Sequence, residues 1–155
     1  MRLTTMTDYA MRLLMYLGQH PDRLCTITEM TDSYGVSRSH LMKVTNRLAR
    51  AGWIETVRGK HGGMRLAHPP EDIKLGAVIR DMENDLALVE CLAGKQDCTL
   101  IGQCGLPAIL QGALAQFMAY LDAHTLADLL TDSPRSSQPA PHVAVIRPLS
   151  ARNAP

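Results

Sequence analysis

Apolar side chains recur along the first third of the chain at helical spacing. Between residues 5 and 18 they fall at Met6, Tyr9, Ala10, Leu13, Leu14 and Leu17, one stripe of a 3.6-residue period. Gly18 closes the stripe and Pro21 follows it. Asp8 lies in the first turn, where the helix dipole favours a carboxylate, and Arg12 sits four residues on, within reach of an ion pair. A short second helix is predicted from Thr26 to Ser33, because Thr26 and Glu29 have the spacing of a capping box. Tyr34, Gly35 and Val36 then form a turn, and Ser37 caps a third helix running to about Ala51. Leu41, Val44, Leu48 and Ala51 make its inward face. Arg38, Ser39, His40, Lys43, Asn46, Arg47 and Arg50 fall mostly on the others.

The period changes after Gly52. Residues 53–57 are strand-like, 58–63 (R-G-K-H-G-G) form a tight basic turn, and 64–67 are a second strand, which together predict a hairpin. Pro69 and Pro70 break the chain. A helix is expected from Ile73 to Asp85 with Leu75, Val78, Ile79 and Met82 inward. Residues 105–130 predict one long apolar helix without lysine or arginine, in which Pro107 is tolerated in the first turn. From Ser133 the composition turns to Ser and Pro, with five Pro between residues 134 and 155. That predicts a disordered tail, in which Val143 to Ile146 form at most a transient strand. Three segments follow: 1–70, 71–132 and 133–155.

Composition agrees with a mainly α fold. Aromatic residues are 4% against nine Met in 155 residues, which favours a core of Leu, Ala and Met. No run of about 18 apolar residues exists, so no membrane segment is expected. The N-terminus lacks the apolar core of a signal peptide, which predicts a cytoplasmic protein with reduced cysteines.

Charge adds more than the net +1 suggests. Residues 1–65 carry ten Lys/Arg against five Asp/Glu, whereas residues 66–132 carry three against ten. A basic first half predicts a polyanion for that half alone. Helix, glycine-containing turn and basic helix form a helix-turn-helix pattern, and the hairpin supplies a wing. The expected partner is double-stranded DNA. Ser37, Arg38, Ser39, His40, Lys43 and Arg47 are the candidates to enter the major groove. Arg58, Lys60, His61, Gly62 and Arg65 would bring the wing against phosphates or a minor groove. A phosphate loop for a nucleotide would need strand, loop and helix in succession, but Pro69 and Pro70 follow the second strand. No paired carboxylates, Ser/His/Asp set or phosphate loop suggests an enzyme.

Cysteine chemistry is concentrated in C-L-A-G-K-Q-D-C-T-L-I-G-Q-C, where Cys91, Cys98 and Cys104 lie within fourteen positions. Cys25, ahead of the second helix, reads as a core residue. Thiolates suit zinc, Cu(I) and iron–sulfur clusters. Zinc is disfavoured, because there is no C-x2-C pair and no nearby His. Buried thiols or a disulfide remain the alternatives to ligation at this point.

The segments T-D-Y-A-M-R-L-L-M-Y-L (7–17), S-R-S-H-L-M-K-V (37–44) and L-A-R-A-G-W-I-E-T-V-R-G-K-H-G-G-M-R-L-A (48–67), with the three-cysteine loop, resemble the Rrf2 family of bacterial transcription regulators over about residues 1–130. The resemblance implies a winged helix-turn-helix with a small β-hairpin wing and a long dimerisation helix, hence a homodimer on a palindromic operator. It also implies a [4Fe-4S] cluster held by Cys91, Cys98 and Cys104. In the branch most resembled, which represses transcription until nitric oxide arrives, an Asp in the first helix of the other subunit completes the site. Asp8 occupies the matching position. A sister branch carries a His three residues after its last Cys, where this chain has Pro107. Alternatives are a [2Fe-2S] redox or iron-status regulator with the same DNA module, or a cofactor-free winged-helix protein.

Overall fold

The computed structural model describes residues 2–94, 98–100 and 103–130. The tail expected over 133–155 lies outside the described residues. The first helix, α1, is Thr5–Gly18, with the Thr4 side chain accepting from the Thr7 amide at its start. The second, α2 (Ile27–Tyr34), begins with the predicted capping box, in which Thr26 and Glu29 each satisfy the other's backbone N–H. It ends on Gly35 in the left-handed region. Ser37 caps α3 (Arg38–Arg50), which buries Leu41, Val44, Thr45 and Leu48.

Strands β1 (Ile54–Val57) and β2 (Gly63–Leu66) pair antiparallel, with Ile54 opposite Leu66 and Glu55 opposite Arg65. Each is one residue away from the predicted bounds. Met64 also exchanges backbone hydrogen bonds of 2.9 and 2.8 Å with Cys25, so the segment before α2 adds one rung to the hairpin. A Cβ on Gly63 would stand 2.8 Å from the Cys25 carbonyl oxygen, which is why glycine is needed at this strand crossing.

The second half departs from expectation in two places. Helix α4 spans Leu75–Met82, not residues 73–85. The predicted helix of 105–130 is two helices, α5 (Leu106–Asp122) and α6 (Ala127–Leu130). The later start of α4 and the break between α5 and α6 have one cause. Residues 73–75 and 124–126 pair as extended chain: Leu75 N donates to His124 O (3.0 Å), and Leu126 N donates to Ile73 O (2.8 Å). Lys74 and Thr125 at the centre of this pairing are therefore not helical, so α4 starts only at Leu75 and α5 ends before His124. At the far end of α4, Glu83 is extended and turns its side chain towards α1.

A single apolar cluster joins Leu13, Leu14 and Leu17 of α1 to Leu41 and Leu48 of α3, Met64 of the hairpin, Val78 and Met82 of α4, and Leu126. Each fully buried side chain of this size contributes roughly 1.5–3 kcal/mol. Of α5, only Met118 is buried. Among the described residues no helix is long and apolar enough to cross a membrane.

Candidate functional site

The polar and basic face of α3 is open to solvent. Ser37, Arg38, Ser39, His40 and Lys43 are all exposed, as the pattern predicted. Ser37 Oγ accepts from the His40 amide at 3.4 Å, which fixes the first turn. Arg38 reaches back to the Thr28 hydroxyl of α2 at 3.5 Å. The rings of His40 and Tyr9 lie 6.2 Å apart, so α1 borders this face. Met42, 47% exposed, stands among these polar groups. It lies outside the apolar stripe of Leu41, Val44 and Leu48, and that displacement was its signal. An exposed apolar side chain on such a helix can meet a thymine methyl.

Arg47 behaves differently. It is half-buried, and its Nε donates to the backbone carbonyl of Asp81 at 2.8 Å. On the wing, Arg58, Lys60 and His61 are exposed around the hairpin turn, and Gly62 is partly covered. A Cβ on Gly62 would lie 2.2 Å from the Val57 carbonyl oxygen, so the turn closes only with glycine there. Arg65 lies across the ladder from Glu55 and pairs with it, Nη2 to Oε2 at 2.7 Å. Its charge is therefore partly matched within the wing.

Asp8 is exposed at the start of α1, and its Oδ2 is 3.1 Å from Arg12 Nη2. The cavity beside it, of about 670 Å³, is bounded by Thr4, Asp8, Tyr9, Arg12 and Tyr34 among others. Behind Asp8 lies a group that sequence reasoning missed. Glu83 is buried and accepts from the Thr4 amide (2.7 Å), the Thr4 hydroxyl (3.2 Å) and the Thr7 hydroxyl (2.5 Å). Burial pushes its carboxyl up, but the three donors outweigh burial and hold it below the usual carboxylate range.

The cysteine loop leaves α4 through residues 84–89. Cys91 is half-covered on a 3-10 turn, Glu90–Ala93, and Cys98 and Cys104 are exposed. None is in a disulfide. Cys25 is fully buried, and burial pushes its thiol up, so it suits a core role and not ligation. Residues 95–97 and 101–102 of the loop are outside the described residues. Among those described, no group of three or more His, Cys, Asp or Glu stands where it could hold a metal ion. The donor set nonetheless fits an iron–sulfur group: three disulfide-free thiols outside the core on one loop, with the softness such clusters require.

Comparisons with known proteins agree with this architecture. A family model described as Rrf2, iron-dependent transcriptional regulator, matches residues 3–132. The chain is 44% identical over 132 residues to the HTH-type transcriptional regulator NsrR of Bacillus subtilis, covering 84% of this chain and 90% of that protein. The NsrR of Bacillus licheniformis is likewise 44% identical over 132 residues, with 84% and 92% covered. A solved structure of T. potens IscR superposes with a TM-score of 0.67 at 25% identity, covering 90% of this chain and 93% of that one.

Proposed function

The chain belongs to the Rrf2 family of transcriptional regulators, and from that premise we propose that it is a dimeric DNA-binding repressor that senses nitric oxide through an iron–sulfur group. The observation that carries this reading is the division among its cysteines. Cys25 is sealed in the core, while Cys91, Cys98 and Cys104 stand outside it without disulfide partners on one loop. A protein that used its thiols only for packing would have no reason for three of them there. Similarity at 44% identity to two proteins named NsrR supports the nitric oxide branch, as does Pro107 where the sister branch has His.

Cys91, Cys98 and Cys104 would hold the group, with Asp8 of the second protomer as the fourth ligand. A [4Fe-4S] cluster bound there would supply iron with affinity for nitric oxide. The remaining steps belong to the chain. To ligate, Asp8 must leave Arg12, and an exposed i,i+4 ion pair of this kind is worth only about 0.3–0.5 kcal/mol. Arg12 therefore opposes ligation weakly and recaptures Asp8 when the ligand site is lost. On DNA, the N-terminal half of α3 enters the major groove through Ser37, Arg38, Ser39, His40 and Lys43. Arg58, Lys60 and His61 grip the neighbouring backbone. Two such heads fit half-sites about one helical turn apart. Release of the operator by a factor of 100 needs only about 2.7 kcal/mol of coupling.

The test is a DNA-binding titration on protein reconstituted anaerobically, before and after nitric oxide, beside a Cys98→Ala variant. Loaded protein is expected to bind a palindromic site and to lose it on exposure to the gas. Cys98→Ala is expected to lose the brown chromophore and the response together. Equal affinity of iron-free and loaded protein, unmoved by nitric oxide, would refute the sensing role and leave a cofactor-free DNA-binding protein.

A further inference from the structure

In four consecutive residues, the last turn of α4 and its cap reach three other elements. Arg80 forks onto both carboxylate oxygens of Asp122 on α5, one contact at 2.7 Å. Asp81 receives the Trp53 indole N–H on Oδ2 at 2.8 Å, and its backbone carbonyl receives Arg47 Nε at 2.8 Å. Met82 is buried in the core. Glu83 collects the Thr4 and Thr7 donors at the head of α1. Asp81 and Glu83 are acidic at the C-terminal end of a helix, where the dipole disfavours negative charge. Residues that break a local rule and are matched by specific donors point to a positional duty.

We propose that Asp81 is a positioning residue for DNA binding, fixing the recognition helix and the base of the wing to a single point on α4. Arg47 leaves the last turn of α3, and Trp53 immediately precedes β1. Between them the chain turns at Gly52 with φ +82, a joint that sets the angle of wing to helix. Asp81 bridges that joint from outside. Arg47, expected to face DNA, is thus assigned to hold α3 in place. The chain runs from this same turn through residues 84–90 to Cys91. It is the last helical point shared by the cysteine loop and the reading elements. The inference rests on the DNA-binding function proposed above.

Trp53 is the sole tryptophan, so its emission reports on the contact. The probe is a labelled duplex carrying a site selected from random sequence by the wild-type, cluster-loaded dimer, and affinity is the decisive reading. Asp81→Ala is expected to bind it about fivefold more weakly, the worth of one lost hydrogen bond, with red-shifted and more quenchable Trp53 emission. Asp81→Asn, which keeps an acceptor oxygen, is expected to restore both. Trp53→Phe should weaken binding similarly, and the double variant with Asp81→Ala should be no weaker than either alone. Should Asp81→Ala fail to fold, Trp53→Phe carries the test by itself. Wild-type affinity in Asp81→Ala or in Trp53→Phe overturns the proposal, as does an Asn variant as weak as Ala. Failure of the wild-type protein to select any site overturns the DNA-binding reading as well. Wild-type binding that responds to nitric oxide, with Asp81→Ala indistinguishable from it, overturns this inference alone.

Discussion

Among the described residues, Glu83 is the one buried carboxylate, and its surroundings decide what it is for. Withdrawing a carboxylate from water is costly, and the cost is offset here by three donors on one oxygen, two of them from Thr4. Glu83→Ala would take the acceptor from the Thr4 amide and leave the fully buried Thr7 hydroxyl only the Thr4 hydroxyl, 3.2 Å away. The expected loss in urea unfolding at pH 7 is about 2 kcal/mol. Glu83→Gln keeps an acceptor oxygen and should lose about half of that. The two also separate by pH. The folded-state pKa of Glu83 lies below its unfolded value, so its contribution is present above about pH 4.3 and fades as the pH falls through the folded value. Wild-type stability should therefore drop more steeply than that of Glu83→Gln on acidification below about pH 5. Parallel curves would show that the Thr4–Thr7 network contributes nothing to the acid response.

At the scale of elements, the wing separates two kinds of cation. Lys60 is exposed at the turn, whereas Arg65 is already bonded to Glu55 across the ladder. Lys60→Ala should lower the salt dependence of DNA binding by about one counterion, and Arg65→Ala should change it less. Equal slopes for the two variants would contradict this ranking. The wing also depends on Gly63. Gly63→Ala places a methyl against the Cys25 carbonyl and Leu24 Cβ at 2.9 Å, and should destabilise the fold by roughly 1–3 kcal/mol in thermal or urea unfolding. The helices α1 to α3 and the hairpin were legible in the chain because their signals are local: the Thr26–Glu29 box, the Ser37 cap, and the glycines around a basic turn. The split between α5 and α6 was not, since it arises from pairing of residues 73–75 with 124–126. One local hint was present. Thr125 and Asp128 have cap spacing, and the Thr125 amide does donate to Asp128 Oδ2 at 2.8 Å. The same limit applies to the site. Basic and cysteine positions show as composition, but the link from Glu83 to Thr4 spans 79 positions and leaves no periodic trace.

The whole molecule raises the question of what covers α5. This helix of 17 residues, about 25 Å long, contains no lysine or arginine and buries only Met118 within its own chain. Ile109 is 70% exposed, and Leu106 and Tyr120 are more than half exposed along the same helix. An apolar helix left open in water invites association, and a stable interface needs about 800 Å² from each partner. A second copy of α5 is the simplest surface of matching length and character. The acidic balance of residues 66–132 also sets this half apart from the basic first half, so pairing here would leave α3 and the wing uncovered. Ile109→Glu would put a charge on the most exposed apolar position of α5. Its expected mass by light scattering is 17.0 kDa, against twice that for the wild type. DNA binding supplies an independent check. A dimer engages its second half-site at an effective concentration that raises affinity by about 10²–10⁴-fold. Ile109→Glu should therefore lose at least about 100-fold on a palindromic site and much less on a single half-site. A wild-type protein that runs at 17.0 kDa at micromolar concentration would show that α5 does not pair with its own copy.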